Sequence, residues 1–284
     1  MSEPRAILIT GASTGIGYAC ARRFDGLGLR VFAGVRSETD AARLRAEGSP
    51  RLIPVMLDVI DAGQIRQAAE SISQSIGPAG LAGLVNNAGI VVPGPLELLT
   101  SDELRRQLEV NVVGTHAVTR AFLPLVRQAR GRIVLVGSFT GRVSPPFMGA
   151  YAATKFALEA MADTWRVELR RDAIAVSIVE PDSVATPIWD KMLVGIERLL
   201  EAAAPEARRA YEVDFDAMRR ATWMMQRQGM PVERVVAAIE HALTARRPRT
   251  RYPVGFRTRL AFWAFARISD RARDWFVRRS MGLE

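Results

Sequence analysis

RAILITGASTGIGYACARRFDGLG, residues 5–28, joins a short apolar run to a glycine-rich turn and a helical pattern. The apolar run predicts a β-strand, because its consecutive positions are apolar and it is too short for a buried helix. The residues after the turn repeat at the spacing of one helix face: Ile16, Ala19, Cys20 and Phe24. A strand, a glycine turn and a helix in this order are typical of an α/β fold.

The same alternation continues along the chain. Further apolar runs predict strands over 29–36, 51–59, 81–89, 131–138, 173–181 and 251–255. The sequence predicts helices over 61–76, from Ser101 to about Pro124, and over 150–171. Strands that are apolar throughout and alternate with helices indicate a parallel sheet covered on both faces. We therefore predict one doubly wound α/β domain of about seven strands over residues 1–255.

Two segments depart from this pattern. Residues 187–230 carry tryptophan and methionine on irregular helical stretches, and residues 256–284 form a basic, aromatic tail. The net charge of +9 is concentrated in the C-terminal part, since residues 245–284 hold eleven arginines against Asp270, Asp274 and Glu284. The first 244 residues carry only +1. The high pI therefore describes the tail and says little about the fold.

Composition argues against several classes of protein. A hydrophobic content of 49% over 284 residues is enough for a substantial core. The sequence has no apolar run of about 18 residues, so it predicts no transmembrane helix. The N-terminal sequence lacks the pattern of a secretory signal. One cysteine, Cys20, and two histidines leave little from which to build a metal site, so none is predicted. The single cysteine fits a cytoplasmic protein.

The glycine turn suits a phosphate group. Gly11 permits a tight turn, Gly15 lets the backbone approach a pyrophosphate, and Gly17 allows close packing of helix on sheet. The start of the helix offers free N–H groups and partial positive charge to an anion. The alternative is a glycine-rich turn that serves packing alone.

The residue at the end of the second predicted strand bears on the choice between NAD(H) and NADP(H). A carboxylate there would accept from a ribose 2′-hydroxyl, but this chain has Arg36, with Ser13 in the turn as a second donor. A guanidinium pairs with a 2′-phosphate, so we favour NADP(H) over NAD(H). The alternative is that Arg36 is one more solvated arginine. Asp58, at the end of the third strand, is a candidate acceptor for the adenine amino group.

Five motifs together resemble those of the short-chain dehydrogenase/reductase family: TGASTGIG, NNAG (residues 86–89), Asn111, Ser138, and YAATK (residues 151–155). The likeness covers residues 5–255 and implies a Rossmann-type fold. VFAGVR, GLVNNAGI and YAATKFALEAMADTWRVELR are most similar to the branch that contains steroid and retinoid dehydrogenases. The resemblance implies an NAD(P)-dependent oxidoreductase with a helical substrate lid over 187–230, and we expect a homo-oligomer, either dimer or tetramer.

The resemblance also implies residue roles. Tyr151 would be the general acid/base, Lys155 its electrostatic partner, Ser138 would orient the substrate oxygen, and Asn111 would hold a water. A cation within about 4–6 Å lowers the pKa of a tyrosine, and positions i and i+4 share one helix face. The structural alternative is a core tyrosine with a surface lysine. Besides Tyr151 and Lys155, the candidate cofactor-binding residues are Gly11, Ser13, Thr14, Gly15, Ile16, Gly17, Arg36, Asp58, Val59, Asn87, Ala88, Gly89, Pro181, Val184 and Thr186.

One position departs from the family pattern. Asp182 stands where the family usually has the glycine of a Pro-Gly pair. Aspartate tolerates left-handed backbone better than most residues, so we expect the turn to survive.

An apolar substrate is expected, because tryptophan and methionine bury large areas and adapt in shape. Candidate substrate-binding residues are Ser138, Phe139, Val143, Phe147, Met148, Tyr151 and Trp189. For any single apolar residue among them, core packing is the simpler explanation. A steroid, a retinoid or a fatty-chain alcohol or ketone would fit such a pocket. The rival function is a catalytically silent dinucleotide-binding sensor or scaffold, against which the intact set of Ser138, Tyr151 and Lys155 argues.

Three uses of the tail compete. Leu260, Trp263, Ala264, Ile268, Ala272, Trp275 and Phe276 form an apolar helical stripe among arginines. The stripe suits docking on the protein itself or a sister subunit, contact with an anionic membrane, or binding of nucleic acid, in that order of preference. We therefore expect a cytoplasmic or membrane-peripheral protein that binds no nucleic acid.

Overall fold

A computed structural model describes residues 4–281, without the side chain of Ser280. Residues 1–3 and 282–284, which belong to the predicted ranges 1–255 and 256–284, lie outside the described residues. The strands are β1 (Ala6–Ile9), β2 (Arg30–Val35), β3 (Leu52–Met56), β4 (Gly83–Asn86), β5 (Arg132–Val136), β6 (Ala175–Pro181) and β7 (Arg251–Val254). They form one sheet in the order β3-β2-β1-β4-β5-β6-β7. All neighbours are parallel, as predicted.

The helices alternate with the strands. They are α1 (Gly15–Gly26), α2 (Glu38–Glu47), α3 (Ala62–Ile76), α4 (Ser101–Leu108), α5 (Gly114–Gln128), α6 (Gly149–Glu168), α7 (Ile188–Ala202), α8 (Pro205–Ala210), α9 (Glu212–Gln228), α10 (Val232–Thr244), α11 (Phe256–Phe265) and α12 (Asp270–Met281). The predicted helix over 150–171 is α6 followed by a 3₁₀ turn. The long helix predicted from Ser101 is α4 and α5, joined by a π-helical segment over Glu109–Val113.

Alternate residues of each strand enter two separate cores. In β1, Ile7 and Ile9 pack with α1, α2 and α10, whereas Leu8 packs with α3, α5 and α6 on the other face. The sheet is therefore covered on both faces, which explains why its strands are apolar throughout. Helix α2 was not predicted, because only Ala41 and Leu44 of its ten residues are buried and the apolar pattern is weak.

The segment over 187–230 is regular, and the expectation of irregular helices is wrong. Helices α7 and α9 bury a third apolar cluster, whose fully buried members are Met192, Ile196, Leu199, Leu200, Phe215 and Met218. A parallel β-bridge pairs Val184, just before the segment, with Met230 at the end of the segment. The apolar cluster of α7 and α9 also contacts Val91, Phe147 and Met148, which lie in the segments after β4 and β5. Helices α7 to α9 therefore form a helical layer that covers the carboxyl ends of the strands.

The tail packs on the body of the protein. Thr258 of α11 is buried and its hydroxyl donates to the Val254 carbonyl at 2.8 Å, while α12 lies against α9. Large side chains of the tail stay exposed on the other side, including Phe256, Trp263 and Trp275. No helix within residues 4–281 is both long and apolar enough to cross a membrane.

Candidate active site

The glycine turn follows β1 and leads into α1, and parts of it have no room for a side chain. Gly11 and Gly15 have φ angles of +63° and +57°, a region that glycine enters without strain. A Cβ on Gly17 would lie 2.5 Å from Asn87 Nδ2 and even closer to the Gly11 carbonyl. Within the described structure, the Thr14 side chain makes no capping hydrogen bond to α1. The first N–H groups of α1 are therefore available to an anion, and the turn fits a dinucleotide pyrophosphate.

The end of β4 is fastened to this turn. Asn87 Nδ2 donates to the carbonyls of Thr10 and Gly11 at 2.9 and 3.0 Å. The Thr10 hydroxyl accepts from the amides of Asn87 and Ala88, both at 3.0 Å. Thr10 was missed by sequence reasoning, although it directly precedes the first glycine. The predicted cofactor-binding residues Asn87 and Ala88 thus lie beside the glycine turn.

A second arginine, Arg43, contacts the glycine turn. Arg36 is exposed directly after β2, as predicted. Arg43 of α2 donates to the Ser13 carbonyl in the glycine turn and pairs with Asp40 at 3.2 Å. Ser37 caps α2 by accepting from the Asp40 amide. That capping pattern was the sequence signal that could have found α2, and with it Arg43.

Asp58 and Val59 follow β3, as predicted. The Asp58 amide donates to Gln64 Oε1 at 2.9 Å, and its carboxylate accepts from the Ile60 amide at 3.2 Å. Val59 is buried against Gly114 at the start of α5. The role of Asp58 toward adenine stays a prediction.

Ser138, Tyr151 and Lys155 meet at the carboxyl end of β5. Lys155 is 5% exposed, and its Nζ donates to the Val136 carbonyl at 2.8 Å. The same Nζ lies 5.3 Å from the centroid of the Tyr151 ring. Ser138 Oγ accepts from the amide and hydroxyl of Thr140 at 3.1 and 2.9 Å, and Ser138 is near enough to the Tyr151 phenol to influence its pKa. The structure thus brings the three residues together.

Burial dominates the electrostatics of this group. It raises the pKa of Tyr151 to about 12, and the nearby Ser138 side chain opposes that rise. It lowers the pKa of Lys155 to about 8. The net pKa of Tyr151 is therefore raised in this structure and not lowered. The reason is that desolvation of the phenolate outweighs a cation that is directed at the Val136 carbonyl.

Asn111 lies in the π-helical segment, and its side chain connects the loop after β4 to helix α6. Its Nδ2 donates to the Ile90 carbonyl at 3.0 Å and to Thr154 Oγ1 at 3.1 Å. Its Oδ1 accepts from the Ile90 amide at 2.9 Å. Since Thr154 also donates to the Tyr151 carbonyl at 2.7 Å, Asn111 supports the first turn of α6. Its role in holding a water stays a prediction.

The loop after β6 carries the predicted residues Pro181, Val184 and Thr186. Thr186 lies against the glycine turn, since a Cβ on Gly15 would be 3.4 Å from its side chain. Asp182 is absent from the described residues with positive φ, so the turn does not require left-handed backbone at this position. Its carboxylate instead accepts from the Ser183 amide at 2.8 Å, which stabilises the turn without glycine.

The predicted substrate-binding residues divide into separate groups. Met148, Phe147 and Trp189 belong to the apolar cluster of the helical layer, and Trp189 Nε1 donates to the Val184 carbonyl at 2.7 Å. Phe139 instead stacks on Phe262 of α11, with ring centroids 5.5 Å apart. Val143 is buried at 3% exposure. Their contacts with substrate stay predictions.

Within residues 4–281, no group of His, Cys, Asp and Glu has the arrangement of a metal site. A family model described as short chain dehydrogenase matches residues 5–194. The chain belongs to the short-chain dehydrogenase/reductase family. The glycine turn after β1 and the polar group at the end of β5 both lie within the matched residues.

The sequences of known relatives align with this short-chain dehydrogenase along most of its length. Human retinol dehydrogenase 16 is 39% identical over 261 residues, which cover 90% of this chain and 82% of that one. Human 17-beta-hydroxysteroid dehydrogenase type 6 is 35% identical over 284 residues, which cover 98% and 89%. The chain is thus an NAD(P)-dependent oxidoreductase of the steroid and retinoid dehydrogenase branch, acting on CH–OH groups.

A solved structure has the same fold. The short-chain dehydrogenase/reductase from Burkholderia phymatum in complex with NAD superposes with a TM-score of 0.76 at 28% identity, covering 93% of this chain and 92% of that one. The single-domain, Rossmann-type fold is therefore confirmed.

Gly17→Ala tests the glycine turn. The added methyl group collides with Asn87 and the Gly11 carbonyl, and overpacking of this kind costs about 1–3 kcal/mol. We expect the Kd for NADPH, measured by fluorescence titration, to rise about tenfold or more. Gly26→Ala is the control, because nothing lies within 4 Å of a Cβ at that position. Equal affinities in the two variants would contradict the assignment.

Proposed function

We propose that this enzyme transfers a hydride between NADP(H) and an apolar secondary alcohol, ketone or aldehyde, with Tyr151 as the general acid/base. The observation that carries the proposal is the contact of Ser138, Tyr151 and Lys155 at the end of β5. The rival, a silent dinucleotide-binding sensor or scaffold, does not require these three side chains to meet.

The residues divide the work. The nicotinamide, when bound, supplies the hydride or accepts it. Ser138 holds the substrate oxygen through its hydroxyl, and Tyr151 gives that oxygen a proton during reduction. The raised pKa keeps the phenol protonated at neutral pH, so the proton is in place. Lys155, with a pKa of about 8, is mostly an ammonium at pH 7 and stabilises the phenolate that remains.

Tyr151→Phe separates the enzyme from its rival. Loss of the acid/base should lower kcat by about 10²–10⁴-fold, whereas the ring that remains should leave the Kd for NADPH within about twofold. A panel of ketones and alcohols with both coenzymes supplies the assay, and calorimetry measures the Kd. Tyr18→Phe, which removes only an exposed hydroxyl bonded to Glu47, is the control. Turnover that persists in Tyr151→Phe would refute the mechanism.

The preference for NADP(H) rests on two guanidinium groups. Arg36 lies at the end of β2, and Arg43 is bonded to the Ser13 carbonyl of the neighbouring turn. A 2′-phosphate between them would receive charge-assisted hydrogen bonds from both. No carboxylate occupies the position directly after β2, where one would repel that phosphate.

Arg36→Ala tests that preference. A charge-assisted hydrogen bond contributes about 1.5–3 kcal/mol, so the Kd for NADPH should rise roughly 10- to 100-fold. The Kd for NADH should change less than about twofold. Arg45→Ala, on the neighbouring helix α2 and paired with Glu38, is the control. Equal effects of Arg36→Ala on both coenzymes would remove the phosphate assignment.

An apolar substrate is supported by the helical layer. Its apolar cluster includes Phe147, Met148 and Trp189 as partly buried members, and Phe147 and Met148 follow β5, as Ser138 does. The names of the relatives, a retinol dehydrogenase and a hydroxysteroid dehydrogenase, agree with an apolar alcohol. A steroid, a retinoid or a fatty-chain compound is the proposed class.

We further propose a cytoplasmic homo-oligomer, dimer or tetramer, that also contacts membranes through its tail. Exposed Val113, Phe156 and Val167 on the surface helices support subunit contacts. On the tail, Arg267 lies 4.5 Å from the Trp263 ring centroid and Arg279 lies 5.7 Å from that of Trp275. Exposed tryptophans with adjacent arginines suit the boundary of an anionic bilayer.

Vesicle sedimentation tests the membrane contact. The full chain should bind vesicles that contain phosphatidylglycerol more than vesicles of phosphatidylcholine alone, and high salt should weaken that binding. Replacing Trp263 and Trp275 together by alanine should lower the bound fraction severalfold, as the aromatic contact is lost. Phe32→Leu, in the buried sheet, is the control. Binding that is equal for both lipid compositions would contradict an anionic surface.

A further inference from the structure

Directly after the turn that follows Ser138, the partly exposed Arg142 lies against the buried carboxyl group of Glu180. Glu180, near the end of β6, is 0% exposed, and its Oε1 lies 2.7 Å from Arg142 Nε. This contact is an ion pair whose N–H is not aligned as a hydrogen bond. Glu159 of α6 lies nearby, with its Oε2 3.8 Å from Arg142 and 3.1 Å from Arg251. Arg142 therefore lies against an acidic group that has no access to water, and this burial raises the pKa of Glu180.

Arg142 also borders the turn that bears on the reaction. Ser138 accepts from Thr140 within a 3₁₀ turn over Phe139–Gly141, and Arg142 comes directly after it. The turn is thus connected at one end to β5 and at the other, through the contact of Arg142 with Glu180, to β6. Any shift of Arg142 would be transmitted over four residues to the Ser138 hydroxyl.

One side chain of the tail contacts both ends of this turn. The Phe262 ring of α11 stacks on Phe139 with 5° between the ring planes. The Arg142 guanidinium carbon lies 4.9 Å from the centroid of the same ring. A planar guanidinium over an aromatic face is held by cation–π attraction. Helix α11 therefore packs on the body of the protein here, because its Phe262 contacts the residues at both ends of the turn.

We propose that Phe262 and Arg142 are positioning residues, through which α11 holds the Phe139–Gly141 turn and hence Ser138 in place. The proposal rests on the proposed function for its effect on turnover and on contacts of this structure for its effect on the turn. Neither residue is required to touch substrate or coenzyme. The tail is then a component of the reaction site as well as a candidate membrane contact.

Phe262→Ala tests these contacts, with two readouts. Because a displacement of about 1 Å near reacting groups costs up to about 100-fold, we expect kcat to fall roughly tenfold, with the Kd for NADPH within about twofold. Hydrogen–deuterium exchange of the peptide over residues 137–148, followed by mass spectrometry, should become faster. Phe262→Tyr keeps the ring and should restore both values. Arg142→Lys keeps the charge but loses the planar stacking, so it should show a smaller effect in the same direction.

Phe256→Ala is the matched control, since Phe256 lies on the same helix and is 79% exposed. It should leave kcat and exchange at their wild-type values. The proposal is overturned if the 137–148 peptide exchanges at the wild-type rate in Phe262→Ala, or if Phe256→Ala behaves like Phe262→Ala. A failure of the proposed function is seen separately in Tyr151→Phe, and the exchange comparison does not depend on it.

Discussion

The hydrogen bond from the buried Lys155 ammonium to the Val136 carbonyl holds the candidate site together. It fastens α6 to the carboxyl end of β5, two residues before Ser138. Tyr151 lies one helical turn before Lys155, so the same bond sets the distance between the phenol and Ser138. A lysine suits this position because one compact ammonium meets one carbonyl, whereas a guanidinium is longer and planar. This explains a lysine here in a chain whose basic residues are otherwise almost all arginine.

Enclosure shifts the pKa values of the pair toward their uncharged forms. The phenol of Tyr151 becomes a weaker acid and the ammonium of Lys155 a stronger one, because both charged forms lose water. The phenol is consequently protonated over the whole neutral range. A protonated phenol agrees with the proposed role of Tyr151 as proton donor.

The segments that follow β4, β5 and β6 lie at the carboxyl ends of the strands, where they contact the helical layer and the tail. Their apolar residues make a cluster of their own, distinct from the two cores that hold the sheet. This division allows the sheet to fix the polar residues while the layer above them supplies an apolar surface. The tail joins the arrangement through Phe262, whose ring covers Phe139 and Arg142. Fold, reaction site and C-terminal extension are thus connected by contacts of single side chains.

Much of this protein was determined by local sequence. Periodicity predicted the seven parallel strands and most helices, since burial on both faces requires continuous apolar runs, and the spacing of Tyr151 and Lys155 placed them on one helix face. Only tertiary structure decided what depends on contacts distant in the chain. Such contacts bring Arg43 to the glycine turn and Phe262 to Arg142. The pKa of Tyr151 belongs to the same class, because desolvation depends on every group packed around the phenol, and no short stretch of sequence records that environment.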